Sequence, residues 1–237
     1  INTQDVDALE KLIREKGIDG IFVGTTEVNI PPSIELAKRT GVHFYVNAEQ
    51  WDVLANKHAF KELLKAHGIG TIPEYDISNG LAEDIIKTMR FPVLVKPADS
   101  SGARGITVAK DAEELKKSYA YAESFSKSKK VLVENFLQGM DDTFIRYHFQ
   151  DGVYSISSSY DRHVNTSMGG FGGIGIAYIH PSKHLQSFVD QYDEKFKAVF
   201  KSLDLKDGMI TLQSFVDEDE NFYFYEAGYR LGGSQSY

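Results

Sequence analysis

The stretch Phe91-Pro92-Val93-Leu94-Val95-Lys96-Pro97-Ala98-Asp99-Ser100-Ser101-Gly102-Ala103-Arg104-Gly105 carries the clearest chemical content in the chain. An apolar run ends in a lysine, a loop of small residues follows, and a second apolar run returns at 106–109. Glycine and serine let backbone N–H groups approach phosphate oxygens closely. Lys96 would place a cation on the same oxygens. No Gly-Lys-Ser/Thr opens a helix here, so this is not a Walker loop. Taken alone, the stretch also describes a glycine-containing hairpin with an edge lysine.

A second candidate lies in the hairpin predicted over 209–217 and 222–226. With Asp217 paired to Phe222 around the loop 218–221, Phe215 faces Phe224 and Gln213 faces Glu226. Directly opposite side chains lie about 4.5–5.5 Å apart at Cβ. Two oxygen donors on one face suit magnesium shared between protein and phosphates. The same geometry also describes a polar cross-strand pair facing solvent. Lys57 stands near a helix start, where a cation opposes the helix dipole, a cost that makes sense if the charge answers a phosphate. Around Glu134 and Asn135, Val133, Phe136 and Leu137 can sandwich a flat ring while the strand edge reads it; a plain core strand is the other reading. Asp141 or Asp142 can accept hydroxyl groups, or act as a turn acid. Arg162 offers a planar fork to a carboxylate or acyl phosphate, or belongs to a mixed-charge surface loop. Arg146 and His148 share one strand face, toward a cleft or toward solvent. The run from Gly170 to Gly175 satisfies G-x-G-x-x-G, but Ile176 to Tyr178 continue as a strand rather than a helix, which excludes a dinucleotide site. A mobile glycine-rich loop on the substrate side is expected there.

Several elements must position these residues. Val6, Leu9, Leu12 and Ile13 form a helical stripe stopped by Gly17, and 18–23 reads as a short strand. A helix after Pro31 and Pro32 stops at Gly41, and 42–45 reads as another strand, giving αβαβ and a parallel sheet. A helix is expected over 51–67, an extended link over 72–75, and a helix carrying Leu81, Ile85, Ile86 and Met89. Strands at 91–96, 106–109 and 131–136 surround a helix through Leu115, Tyr119 and Ala122. From 143 the pattern turns antiparallel, with Asp151-Gly152 as a hairpin turn between 143–149 and 153–160. The strongest amphipathic helix runs from Leu185 to Leu203.

Composition narrows the classes. A hydrophobic share of 42% and a charged share of 25% fit a globular domain. The absence of cysteine excludes disulfides, thiolate metal sites and a cysteine nucleophile. A net charge of -8 disfavours non-specific nucleic-acid binding. No apolar run reaches the roughly 18 residues that span a bilayer. No membrane or nucleic-acid partner is expected, the cytoplasm is the expected location, and a homo-oligomer is left open.

The order and spacing of these residues resemble the ATP-grasp superfamily over roughly 51–235, and the loop 99–105 looks most like carbamoyl-phosphate-synthase-like members. The resemblance implies an α/β and α+β chain, apparently truncated at both ends. A partial doubly wound domain would occupy 1–50 and an ATP-grasp fold 51–237, with a small mobile lobe at 75–130 and an antiparallel-sheet lobe at 131–237. It implies ATP and Mg²⁺ as cofactors and a small-molecule carboxylate and amine as substrates. Lys57, Lys96, Ser100, Ser101, Gly102, Arg104 and Gly105 would hold phosphates. Glu134, Asn135, Phe136 and Leu137 would lie against adenine, with Asp141 or Asp142 on the ribose. Gln213 and Glu226 would hold the metal, while Arg230 and Arg162 would act on the reacting groups. The implied activity is a carboxylate–amine ligase working through an acyl phosphate; a kinase stopping at phosphoryl transfer is a close variant. Gln213 stands where the family usually has Glu or Asp, and Gly228 where an Asn is common. These departures motivate the alternative, a nucleotide-binding module with a degenerate metal site. A sugar- or amino-acid-binding protein would leave the Lys96 loop and the last hairpin unexplained.

Overall fold

The computed structural model describes residues 1–78, 80–99, 104–165 and 174–232. Helix α1, Val6–Lys16, is capped by the Asp5 carboxylate and stopped by Gly17 in the left-handed region at φ 61°. Helix α2, Ile30–Thr40, stops in the same way at Gly41. The two segments expected as strands do not become strands. They meet at one isolated parallel bridge, Gly20 with His43, where the Ile21 N–H donates to the His43 carbonyl at 2.9 Å and the His43 N–H to the Asp19 carbonyl at 3.1 Å. A single bridge leaves most backbone groups of each segment without a ladder; Phe22 is 79% exposed, Val23 is buried in the core, and Ile21, Phe44 and Tyr45 pack against it from its margin.

The helix expected over 51–67 is two helices, α3 at Ala48–Ala55 and α4 at Lys57–Ala66. Asn56 breaks them apart. Its backbone is extended, and its side-chain oxygen accepts from the His58 and Ala59 N–H groups at 3.0 and 3.1 Å. A residue with this geometry starts a helix and cannot sit inside one.

A small antiparallel sheet follows, built from β1, Val93–Pro97, β2, Thr107–Ala109, and β3, Val131–Asn135, in the order β2-β1-β3. Helix α5, Glu83–Thr88, and helix α6, Ala112–Phe125, supply Ile86, Leu115 and Ala122 to its core of Val93, Val95, Val131 and Val133. Strand β3 therefore belongs with the small lobe, whose expected end at 130 falls one strand short. Val131 and Val133 alternate into that core, and β1 needs a partner on its second edge.

The larger sheet is antiparallel in the order β6-β5-β4-β7-β8. Its strands are β4, Asp141–Gln150, β5, Val153–Asn165, β6, Ile174–Ile179, β7, Gly208–Val216, and β8, Phe222–Gly228. Asp151 and Gly152 both take positive φ, as a tight hairpin turn requires. Helix α7, Leu185–Ser202, lays Phe188, Phe196 and Phe200 against Tyr147, Phe149, Phe222 and Phe224. Residues 71–75 tie the two sheets together: Thr71 bridges Phe224 of β8 and Glu74 bridges Glu134 of β3.

The last hairpin differs from the expected register near its turn. Val216 pairs with Phe222, and Phe215 with Tyr223 rather than Phe224. A bulge then restores the pairing of Gln213 with Glu226. One extra residue, Tyr225, is absorbed in β8 there, which lets Tyr225 and Glu226 both line the same cleft.

Candidate functional site

A cleft of about 760 Å³ opens between the two sheets. Each wall is made by local features already described. The Asn56 cap places Lys57 at the first position of α4. Strand β1 brings Leu94 and Lys96, two residues apart on one face, and Leu94 pairs directly with Glu134. Lys96 is thus diagonal to Glu134, with Nζ 2.6 Å from Oε2. The bulged hairpin contributes Gln213, Phe215, Tyr225 and Glu226, and Phe215 stacks on Tyr225 with ring centroids 4.8 Å apart.

The structure gathers Lys57, Lys96, Glu134, Arg162, Gln213, Glu226 and Arg230 into this cleft from α4, β1, β3, β5, β7, and β8 with the residues just after it. The Lys57 Nζ lies 3.9 Å from Glu226 Oε2. Arg230 donates through Nε and Nη2 to Glu27 at 3.2 and 3.1 Å. Arg162 directs Nε and Nη2 onto Asp142 Oδ2 at 2.7 and 2.6 Å and lies over the Phe144 ring at 5.0 Å. Its guanidinium stays protonated: burial works against the charge, and Asp142 more than offsets it.

The remaining candidates lie elsewhere. Asn135, Phe136 and Leu137 are half-buried and do not line the cleft. Asp142 is buried behind Arg162 and accepts from the Tyr225 hydroxyl at 3.0 Å. Asp141 turns away to Lys183 at 2.7 Å and His184 at 3.0 Å. Arg104 is exposed. Gly105 is needed for packing: its φ is +76°, and an added Cβ would lie 2.8 Å from both Phe125 and Pro97. Ser100, Ser101 and Gly102 lie outside the described residues, as do 170–173 of the expected glycine-rich loop. Arg146 is buried, its Nε 3.4 Å from the Thr211 hydroxyl, while His148 is exposed.

Sequence reasoning missed Lys61, Glu74, Phe215 and Tyr225. Lys61 is fully buried, with Nζ 2.6 Å from Glu74 and also bonded to Glu134. Its one signal is its place between Phe60 and Leu64, on the apolar stripe of α4. Burial pushes the Glu134 carboxyl up, but Lys96 and Lys61 together hold it below the ordinary carboxylate range. Burial also draws the Lys96 ammonium below its ordinary value, only partly offset by Glu134. The cleft therefore holds cations that gain from an arriving anion. Among the described residues no three His, Cys, Asp or Glu side chains converge to hold a metal, and no helix is long and apolar enough to cross a membrane.

The family model of the carbamoyl-phosphate synthase L chain, ATP binding domain, matches residues 56–146. The carbamoyl phosphate synthase large chain of Clostridium acetobutylicum is 25% identical over 95% of this chain and 21% of its own length. The D-alanine–D-alanine ligase of Helicobacter pylori is 36% identical over 37% of this chain and 25% of its own. The chain spans 13% to 26% of the length of the first curated relatives it matches. Among solved structures, the biotin carboxylase domain of the Hydrogenobacter thermophilus 2-oxoglutarate carboxylase, in complex with MgADP, ADP and bicarbonate, superposes with a TM-score of 0.83. That match covers 98% of this chain and 52% of the other, at 21% identity, and so speaks to the fold. Residues 56–146 thus match the ATP-binding domain of the carbamoyl-phosphate synthase L chain, and the two-sheet architecture of the chain is similar to that of ATP-grasp enzymes.

Proposed function

We propose that this chain is the ATP-binding core of a ligase that activates a carboxylate as an acyl phosphate for attack by an amine. The observation that carries this reading is the convergence of Lys57, Lys96, Arg162, Gln213, Glu226 and Arg230 on one cleft between two lobes. A substrate carboxylate oxygen attacks the γ-phosphorus of ATP, the bond to the β,γ-bridging oxygen breaks, and ADP leaves. The amine nitrogen then attacks the acyl carbon, releases phosphate and loses a proton. Lys57 and Lys96 offset charge on the phosphates, the main source of rate in phosphoryl transfer. Arg230 stabilises the transferring group, and Arg162, held rigid by Asp142 through Nε and Nη2, presents its Nη1 side to the carboxylate. The backbone at 134–137 is the candidate adenine wall, and Asp141 or Asp142 would reach the ribose only after leaving the present partners. The lobe at 75–130, with β3, would close over the site and keep water from the acyl phosphate.

Glu226 and Gln213, paired across the hairpin, fit magnesium as a protein-held minority of its ligands. Magnesium usually keeps waters and phosphate oxygens and takes one or two protein carboxylates. When bound, it would neutralise phosphate charge beside Lys57.

The test is calorimetric titration of ATP with and without magnesium, alongside Lys96→Ala. Magnesium-enhanced binding weakened in the variant supports the reading and leads to a screen of carboxylates and amines for ADP release. One observation favours a second reading, a nucleotide-binding module without efficient chemistry: Glu226 is the single carboxylate of the Gln213–Glu226 pair. Tight binding indifferent to magnesium, with no ADP release, would select it. No binding of ATP would refute both.

A further inference from the structure

Lys61 takes no part in the chemistry above, yet it is fully buried, where lysine almost never lies unless paired. The link 71–75 brings Glu74 directly opposite Glu134 in an antiparallel bridge. Two carboxylates so placed repel each other. Lys61 reaches both, bonding Glu74 Oε1 at 2.6 Å and Glu134 Oε1, while Lys96 takes Glu134 Oε2 at 2.6 Å. Two lysines thus share two carboxylates at the junction of the lobes, and the four charges cancel.

A phosphate chain arriving beside Lys96 must draw that ammonium away from Glu134. Were Lys96 its sole partner, release would strand a fully buried carboxylate, a strongly unfavourable state. With Lys61 fixed on Glu134, the carboxylate stays paired whichever partner Lys96 chooses. We propose that Lys61 is a positioning residue for nucleotide binding, a permanent counter-ion to Glu134 and Glu74 that frees Lys96 to move onto a phosphate. This rests on the reading of the cleft as an ATP site.

The experiment measures ATP and adenosine affinity by calorimetry for wild type, Lys61→Met and Lys61→Met/Glu134→Gln, with thermal melts of each. Lys61→Met is expected to weaken ATP at least about tenfold and to leave adenosine unchanged, because adenosine has no phosphate to compete for Lys96. The double variant removes the carboxylate that traps Lys96 and is expected to recover most of the loss. A folded Lys61→Met that binds ATP like wild type, an equal loss for adenosine, or a double variant no better than the single one overturns the proposal. Should Lys61→Met fail to fold, Glu134→Gln carries the test, since it frees Lys96 with Lys61 in place. Its ATP affinity relative to adenosine should match or exceed wild type, and a lower ratio overturns the proposal. Wild type that does not bind ATP refutes the reading of the cleft itself and takes this inference with it.

Discussion

Replacing Lys96 by methionine separates two roles that one side chain could hold. Lys96 is one of two cations on Glu134, the other being Lys61. Removing one partner of a buried ion pair usually destabilises by about 3–5 kcal/mol, because a buried charge is left alone. Here Glu134 keeps Lys61, so that penalty does not arise. The lost charge-assisted contact is worth about 1.5–3 kcal/mol, and it is offset by no longer burying an ammonium, which costs several kcal/mol by itself. The net change in folding stability is expected to stay within about 1 kcal/mol. The nucleotide is affected differently, since it loses a charge-assisted hydrogen bond of about 1.5–3 kcal/mol. That corresponds to about ten- to 150-fold weaker binding. Urea unfolding gives the first quantity and calorimetric titration of ATP with magnesium the second. A stability loss near the full value for a stranded charge would show that Lys61 does not compensate. Unchanged ATP affinity would show that Lys96 does not meet the phosphates.

Three further outcomes follow from the same geometry. Gln213→Glu places a second carboxylate opposite Glu226; without metal the like-charge pair should destabilise by up to about 1 kcal/mol, which urea unfolding checks, whereas with ATP bound magnesium should bind more tightly, which titration of magnesium into the ATP complex checks. Glu134 and Asp141 have carboxyls held below their ordinary values, Glu134 by Lys96 and Lys61 and Asp141 by Lys183 and His184, in each case against burial. Their stabilising contribution is therefore fully present above the unfolded-state values of 4.5 and 3.8 and is lost as pH falls through the lower folded-state values. Urea midpoints that decline below about pH 4.5 in wild type, and less so in Glu134→Gln, are expected; a profile unchanged by the variant would refute the assignment for Glu134. Phe196→Ala empties a site between Phe188, Phe200 and Phe224, which should destabilise by about 3–5 kcal/mol in thermal or urea unfolding, and a loss under 1 kcal/mol would mean that the core collapses into the gap.

What the sequence by itself determined is mostly local. Gly17 and Gly41 stop their helices because the terminating residue takes positive φ, and Asp151-Gly152 turns its hairpin for the same reason. The amphipathic stripe of α7 and the alternation in β1 and β3 follow from the periods of helix and strand. The pairing of Gln213 with Glu226 was also legible, although the assumed register was off by one near the turn; the bulge at Tyr225 cancelled the error.

Tertiary structure alone decided which charges meet. Whether Asp141 and Asp142 face a cleft or an ion pair depends on Lys183, His184 and Arg162, at least 20 residues away along the chain. Lys61 looks in sequence like a surface lysine, and only the convergence of α4, the 71–75 link and β3 makes it a buried counter-ion. The segments at 18–23 and 42–45 have the composition of strands, but strand formation needs a ladder of partners, and the fold supplies them with one bridge. Backbone periodicity is set by near neighbours. Charge pairing in a buried junction is set by distance in space, which a one-dimensional pattern does not contain.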